Sequence, residues 1–109
     1  LLYQHLEQKY GKAVSIKHEV PFIRPMDGQV MKGEIDLVWY LEKNTCVLVD
    51  FKNYPGKEVF IMNPDNDHYA GNYASQLLAY KSVLEESGCK VLDTLVYYSV
   101  IGRIVKMLF

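Results

Sequence analysis

A chain of 109 residues, half of them apolar, is long enough to bury one hydrophobic core but too short for two independent domains. Its twelve basic and thirteen acidic side chains give a formal charge of −1, which excludes a protein that holds nucleic acid mainly by net charge. No apolar run approaches the roughly 20 residues of a membrane span and no signal-peptide pattern is present, so we expect a cytoplasmic protein without membrane contact.

The two cysteines, Cys46 and Cys89, are far apart in the sequence. Two thiols cannot make a four-cysteine zinc or iron–sulfur site, so we expect free cytosolic thiols. The chain begins with Leu1 rather than Met and ends in an apolar segment at Phe109. These ends predict a fragment of a longer protein, with part of any active site outside it.

The first half of the chain predicts one helix and three strands. Apolar residues recur at helical spacing up to Gly11, which predicts a helix over residues 1 to 10. Strands are predicted over residues 14 to 23, 33 to 41 and 46 to 53, with turns between them, and three strands in sequence favour an antiparallel meander. The residues expected on one face of the first strand are Val14, Ile16, His18, Val20 and Phe22.

The second half predicts a helix and two strands. A polar loop around residues 63 to 67 precedes a helix over residues 69 to 87, and strands over 92 to 101 and 103 to 109 are joined at Gly102. The helix is a natural crossover to a parallel strand. The predicted fold class is therefore α/β, in the order α-β-β-β-α-β-β, with a mixed sheet of about five strands flanked by helices.

Two carboxylates and a lysine interrupt the second and third strands. Period-two alternation puts Leu48, Asp50 and Lys52 on one face, where an isolated charge is costly unless it is paired or binds a metal. Asp36 and Asp50 are symmetric about Lys43 at the centre of the turn, so we expect them opposite each other with β-carbons about 5 Å apart.

Two carboxylates at that distance repel each other unless a cation lies between them. A hard divalent ion with oxygen ligands, Mg²⁺ or Mn²⁺, fits this role. Lys52 can then orient a metal-bound water or stabilise charge on a phosphate. Gln76 and Tyr80 lie one turn apart on the predicted helix and can face the same side of the sheet, and Glu19 in the first strand is a further possible ligand.

Each feature alone has an ordinary explanation, such as a surface salt bridge, a cross-strand pair or packing at a helix edge. In order and spacing, however, they resemble the PD-(D/E)XK nuclease superfamily in its RecB-like branch, over nearly the whole chain. The matching segments are Gly33-x-x-Asp36, Val49-Asp50-Phe51-Lys52 and Gln76-Leu77-Leu78-Ala79-Tyr80. Two further segments also resemble this branch: His18-Glu19-Val20-Pro21-Phe22, which precedes the first motif, and Tyr69-Ala70-Gly71, which precedes the last. The segment Asp50-Phe51-Lys52-Asn53-Tyr54-Pro55-Gly56 is most similar to the RecB and AddA group.

The resemblance implies a restriction-endonuclease-like core and a role for each matching residue. Asp36, Asp50 and the backbone carbonyl of Phe51 would bind the metal, Lys52 would be the catalytic lysine, and Gln76 and Tyr80 would lie near the site and the DNA. Two departures stand out. The Pro that names the superfamily is missing before Asp36, and the family's N-terminal His or Glu has no certain counterpart, although His5 and Glu7 lie on the first helix.

The implied function is Mg²⁺-dependent hydrolysis of DNA phosphodiester bonds. Its setting would be the exonuclease part of an ATP-dependent helicase–nuclease in double-strand break repair and recombination, with helicase motor domains on the same chain and a second subunit. Alternatives are a stand-alone restriction, repair, phage-recombination or CRISPR-adaptation nuclease, or a non-catalytic DNA-binding relic. The two cysteines disfavour branch members that carry an iron–sulfur cluster.

Overall fold

A computed structural model of the chain describes residues 1–54, 56–65 and 70–109. No helix in these ranges is long and apolar enough to cross a membrane. The elements, in chain order, are α1 (Leu2–Tyr10), β1 (Ser15–Met26), β2 (Gln29–Leu41), β3 (Thr45–Lys52), α2 (Glu58–Ile61), a 3₁₀ turn (Ala70–Tyr73), α3 (Ala74–Glu86), β4 (Lys90–Tyr98) and β5 (Arg103–Lys106).

The five strands form one mixed sheet in the order β1-β2-β3-β4-β5. Strands β3 and β4 are parallel and the other neighbours are antiparallel, because α3 carries the chain back across the sheet between β3 and β4. The predicted α/β class and element order are confirmed, and the architecture is compatible with a restriction-endonuclease-like core. The short helix α2 is an addition, and its Ile61 is fully buried.

Helices cover both faces of the sheet. The α1-side cluster packs Leu2 and Leu6 of α1 against alternate residues of the central strands, including Leu37 and Val49. The α3-side cluster packs Leu77 and other α3 residues against the opposite face. Three layers result, with the sheet in the middle, as the apolar stripe of each helix requires.

The cysteines lie in the α3-side cluster. Cys46 and Cys89 are both free and buried, and they come together although the sequence separates them, because they lie at the starts of neighbouring parallel strands. Burial, assisted by the hydrogen bond to Cys89, raises the pKa of the Cys46 thiol well above its usual range.

The first two strands are longer than predicted. They continue to a two-residue turn in which Asp27 and Gly28 both have positive φ, 50° and 77°, and turns of this kind match the twist of paired strands. Pro21 and Pro25 lie within the first strand. They are tolerated because β1 is an edge strand, where a missing N–H can face away from the sheet.

The expected single face of the first strand is wrong. Glu19 has a φ of 52°, which interrupts the alternation. Before it, the His18 ring shares a 2.8 Å hydrogen bond with Tyr3 of α1, whereas after it Val20 and Phe22 pack in the α3-side cluster. The two halves of β1 therefore present their apolar residues to opposite faces of the sheet.

The remaining differences concern the ends of elements. The predicted helix over 69 to 87 begins as a 3₁₀ turn at Ala70 and is α-helical over Ala74–Glu86. The last two strands end earlier than predicted, with a turn over residues 99 to 102. Tyr69 and Pro55, two positions of the matching segments, lie outside the described residues, as do residues 66 and 67 of the polar loop.

Candidate metal centre

The two aspartates meet where the central strands part. Pairing between β2 and β3 runs from Leu41↔Thr45 to Leu37↔Val49, a register symmetric about Lys43. Asp36 and Asp50 are the next residues on each strand. Beyond them β2 continues its pairing with β1 and β3 continues its pairing with β4. The carboxylates therefore lie where the sheet divides into a β1–β2 half and a β3–β4 half. We call this place the fork.

Asp50 is the most buried charged residue of the fork, with 4% of its surface exposed. Burial, and then contact with the Asp36 carboxylate, raises the pKa of Asp50 to about 6, although the ammonium of Lys52 lowers it. Lys52 Nζ lies 3.0 Å from Asp50 Oδ2. This is an ion-pair distance, and among the described residues the buried Oδ2 has no hydrogen-bond partner. Its burial is offset only in part by the Lys52 ammonium, so this oxygen is available to a further cation.

Asp36 is half-buried and is held by the opposite strand. Its Oδ2 accepts a 2.7 Å hydrogen bond from the backbone N–H of Phe51. In a strand, the N–H and C=O of one residue point to the same side. The Lys52 carbonyl accepts a hydrogen bond from Ser99 on the β4 side, so the Phe51 carbonyl, one residue earlier, points to the β2 side with Asp36. The predicted third oxygen therefore faces the fork.

The helix α3 brings its amide and phenol to the same place. Gln76 Nε2 donates a 2.6 Å hydrogen bond to the Tyr80 hydroxyl. Burial raises the pKa of Tyr80, and the nearby charges of Asp50 and Asp36 add to this effect. The hydroxyl can therefore direct its own proton towards the carboxylates. The structure thus gathers Asp36, Asp50, Lys52, Gln76 and Tyr80 on one side of the sheet.

Two tyrosines that the sequence analysis did not assign to the site also belong to it. Tyr73 lies with its ring under the ammonium of Lys52, at 4.2 Å from Nζ to the ring centroid. Tyr98 is fully buried on β4, in register with Lys52. Burial, together with Tyr73 and Asp50, raises the pKa of Tyr98 to about 12. No sequence signal pairs Tyr73 with Lys52, because the contact joins residues far apart in the chain.

Glu19 does not complete the site. The β1–β2 register puts it level with Asp36, but its side chain is exposed. His5 lies on α1, in a surface depression of about 470 Å³ that it shares with Tyr97 and Ser99. In the described ranges, no group of three or more His, Cys, Asp or Glu side chains could hold a metal ion. The fork offers two carboxylates and a backbone carbonyl.

This donor set fits a small hard cation. Mg²⁺ is commonly bound by one or two carboxylates and keeps several of its waters. Here the Oδ2 of Asp50 has no hydrogen-bond partner among the described residues, and the Asp36 carboxylate lies close enough to raise the pKa of Asp50. A cation between the carboxylates would relieve both their repulsion and the desolvation of Asp50. The residues present therefore fit a divalent ion.

Comparison with known proteins supports the fold. No family model matches the chain, and no curated protein matches it. Its structure is similar to the crystal structure of SSO0001, with a TM-score of 0.53 and 16% sequence identity over 97% of this chain. The chain spans 45% of the length of SSO0001. At this identity the likeness shows the fold alone.

Proposed function

We propose that this chain is the catalytic core of a Mg²⁺-dependent DNA nuclease of the PD-(D/E)XK superfamily, in its RecB-like branch. The observation that carries the proposal is the buried Oδ2 of Asp50, which has no hydrogen-bond partner among the described residues and lies beside the Asp36 carboxylate and the Lys52 ammonium. The order of motifs along the chain supports the same assignment.

Each residue of the fork would have a different role in phosphodiester hydrolysis. Asp36, Asp50 and the Phe51 carbonyl would hold Mg²⁺, which when bound supplies an acidified water and neutralises charge on a phosphate. Lys52, a quarter exposed, can orient that water and stabilise negative charge as it develops on the phosphate oxygens. The Gln76 amide fixes the Tyr80 hydroxyl through its hydrogen bond, and both side chains would lie near the metal and the DNA.

Substitution of the fork residues tests the activity directly. In the full-length protein with Mg²⁺ and labelled linear DNA, Asp50→Ala and Lys52→Ala should each reduce cleavage by at least about 10³-fold while the unfolding transition stays cooperative. Asp65→Ala and Lys90→Ala remove the same charges from exposed positions and should cleave normally. Undiminished cleavage by either fork variant would refute the assignment.

A second candidate is a non-catalytic relic that keeps the fold as a DNA-binding module. The observation that favours it is that the described residues include no group of three acidic, histidine or cysteine ligands. Calorimetry with Mn²⁺ separates the two proposals. A nuclease core should bind Mn²⁺ with a dependence on Asp36 and Asp50, whereas a relic should bind none through these residues.

For the biological setting, we propose the exonuclease part of a helicase–nuclease, with helicase motors on the same chain and a second subunit acting on broken DNA in the cytoplasm. The segment from Asp50 to Gly56 supports this choice by its likeness to the RecB and AddA group. A stand-alone restriction, repair, phage-recombination or CRISPR-adaptation nuclease would use the same fork. Helicase motifs upstream in the complete gene would favour the first setting, and a short open reading frame the second.

A further inference from the structure

Lys52 makes two different contacts in the fork. Its ammonium lies 3.0 Å from Asp50 Oδ2 and 4.2 Å from the centroid of the Tyr73 ring. The face of an aromatic ring carries negative charge and attracts a cation at this distance. The ammonium is therefore held between a carboxylate and a ring.

Tyr73 is fixed by the elements around it. It ends the 3₁₀ turn and is the N-cap of α3, one turn before the fully buried Leu77. Its ring packs partly buried in the α3-side cluster. It also lies close enough to the buried Tyr98 to raise the pKa of that hydroxyl. The ring is thus set by the packing of α3 against the sheet rather than by Lys52.

The two contacts have different fates when a cation enters the fork. Asp50 Oδ2 would then bind the metal ion, so its electrostatic attraction for the Lys52 ammonium would be weaker. The ring face binds no hard metal ion and takes no proton, so its attraction for the ammonium would persist. A lysine side chain has several freely rotating bonds, and a persistent contact limits the conformations it samples.

We infer that Tyr73 is a positioning residue, which holds the Lys52 ammonium over the fork through its ring face during phosphodiester hydrolysis. This inference rests on the proposed nuclease function. Because the ring acts on Lys52 rather than on the DNA or the metal, its loss should lower kcat more than it changes KM. The hydroxyl of Tyr73 is not needed for this contact, so a phenylalanine ring should serve.

The test compares Tyr73→Leu with Tyr73→Phe in the full-length protein. Tyr73→Leu should lower kcat by roughly tenfold, with KM for DNA and Mn²⁺ affinity within about threefold, while Tyr73→Phe should restore most of the rate. Tyr40→Leu is the matched control, because Tyr40 is also half-buried with a lysine, Lys17, over its ring, at the other end of the sheet. In a Lys52→Ala background, Tyr73→Leu should cause no further loss.

A second measurement reads the contact without activity. The ε-protons of Lys52 should show an upfield ring-current shift by NMR in the native chain and in Tyr73→Phe, and should lose it in Tyr73→Leu. A missing shift in the native chain would overturn the inference whatever the nuclease assay gives. So would a Tyr73→Phe variant as slow as Tyr73→Leu. An intact shift in a protein that neither binds Mn²⁺ nor cleaves DNA would instead refute the proposed function, and the role with it.

Discussion

Asp50 is an acid whose ionised form the apo fold does not fully stabilise. Its pKa rises from 3.8 to about 6, chiefly because it is buried. The folded protein therefore binds this proton more tightly than the unfolded chain does. The corresponding stabilisation is complete below about pH 4 and is lost as the pH rises through about 6.

Asp50→Asn should consequently stabilise the metal-free protein at neutral pH. We expect a gain of about 1 to 3 kcal/mol in the free energy of unfolding at pH 7, which shrinks towards zero near pH 4 because the native carboxyl is then protonated. Denaturant unfolding across this range checks it. Asp65→Asn, at an exposed position, should show no such trend. With saturating Mn²⁺ at pH 7, the native protein should instead be more stable than Asp50→Asn, because only the native protein binds the ion. A variant less stable than the native chain in metal-free buffer at pH 7 would contradict this account of Asp50.

At the scale of elements, the β1–β2 hairpin and α3 meet at Gly33. A β-carbon there would lie 2.9 Å from the Phe22 ring and 3.5 Å from the Tyr80 hydroxyl. Phe22 is the cross-strand partner of Gly33, and its ring contacts Tyr80 edge to face at 4.8 Å. The glycine of the Gly33-x-x-Asp36 motif thus has a packing reason: it lets a ring and the α3 phenol approach the strand.

Gly33→Ala should destabilise the fold by about 1 to 3 kcal/mol, because the added methyl overpacks a rigid ring contact. The free energy of unfolding from denaturant titration measures this. Phe22→Leu removes the obstructing ring, so the double variant should lose less than the sum of the two single losses. Strict additivity would show that the Gly33–Phe22 contact does not limit this position.

At the scale of the whole molecule, the charge balance limits DNA binding. A formal charge of −1 offers little counterion release, so this 109-residue chain alone should bind DNA with a dissociation constant weaker than about 1 µM at physiological salt. Fluorescence anisotropy with labelled DNA at several salt concentrations would measure it. A nanomolar constant would contradict the expectation and would imply a local basic surface strong enough to outweigh the net charge.

Most of the elements and the β2–β3 register could be predicted from local sequence patterns. Hydrophobic periodicity indicated α1, β3 and α3, and the symmetry of Asp36 and Asp50 about Lys43 predicted the β2–β3 register, although the ladder ends at Leu37↔Val49, one residue before the two aspartates. These features follow from short-range causes, namely side-chain alternation and tight turns, which act within a few residues of the chain.

The contacts between distant residues, and the face that each part of β1 presents, could not be predicted in this way. Four features depend on how the helices pack against the sheet. They are the positive φ of Glu19, the end of the β2–β3 ladder at Leu37, the Tyr73 ring under Lys52 and the contact of Cys46 with Cys89. Hydrophobic periodicity does not predict such contacts, because they join residues far apart in the sequence. Asp36, Asp50 and Lys52 could thus be proposed from the sequence, whereas the burial of Asp50 and the support of Lys52 required the packed fold.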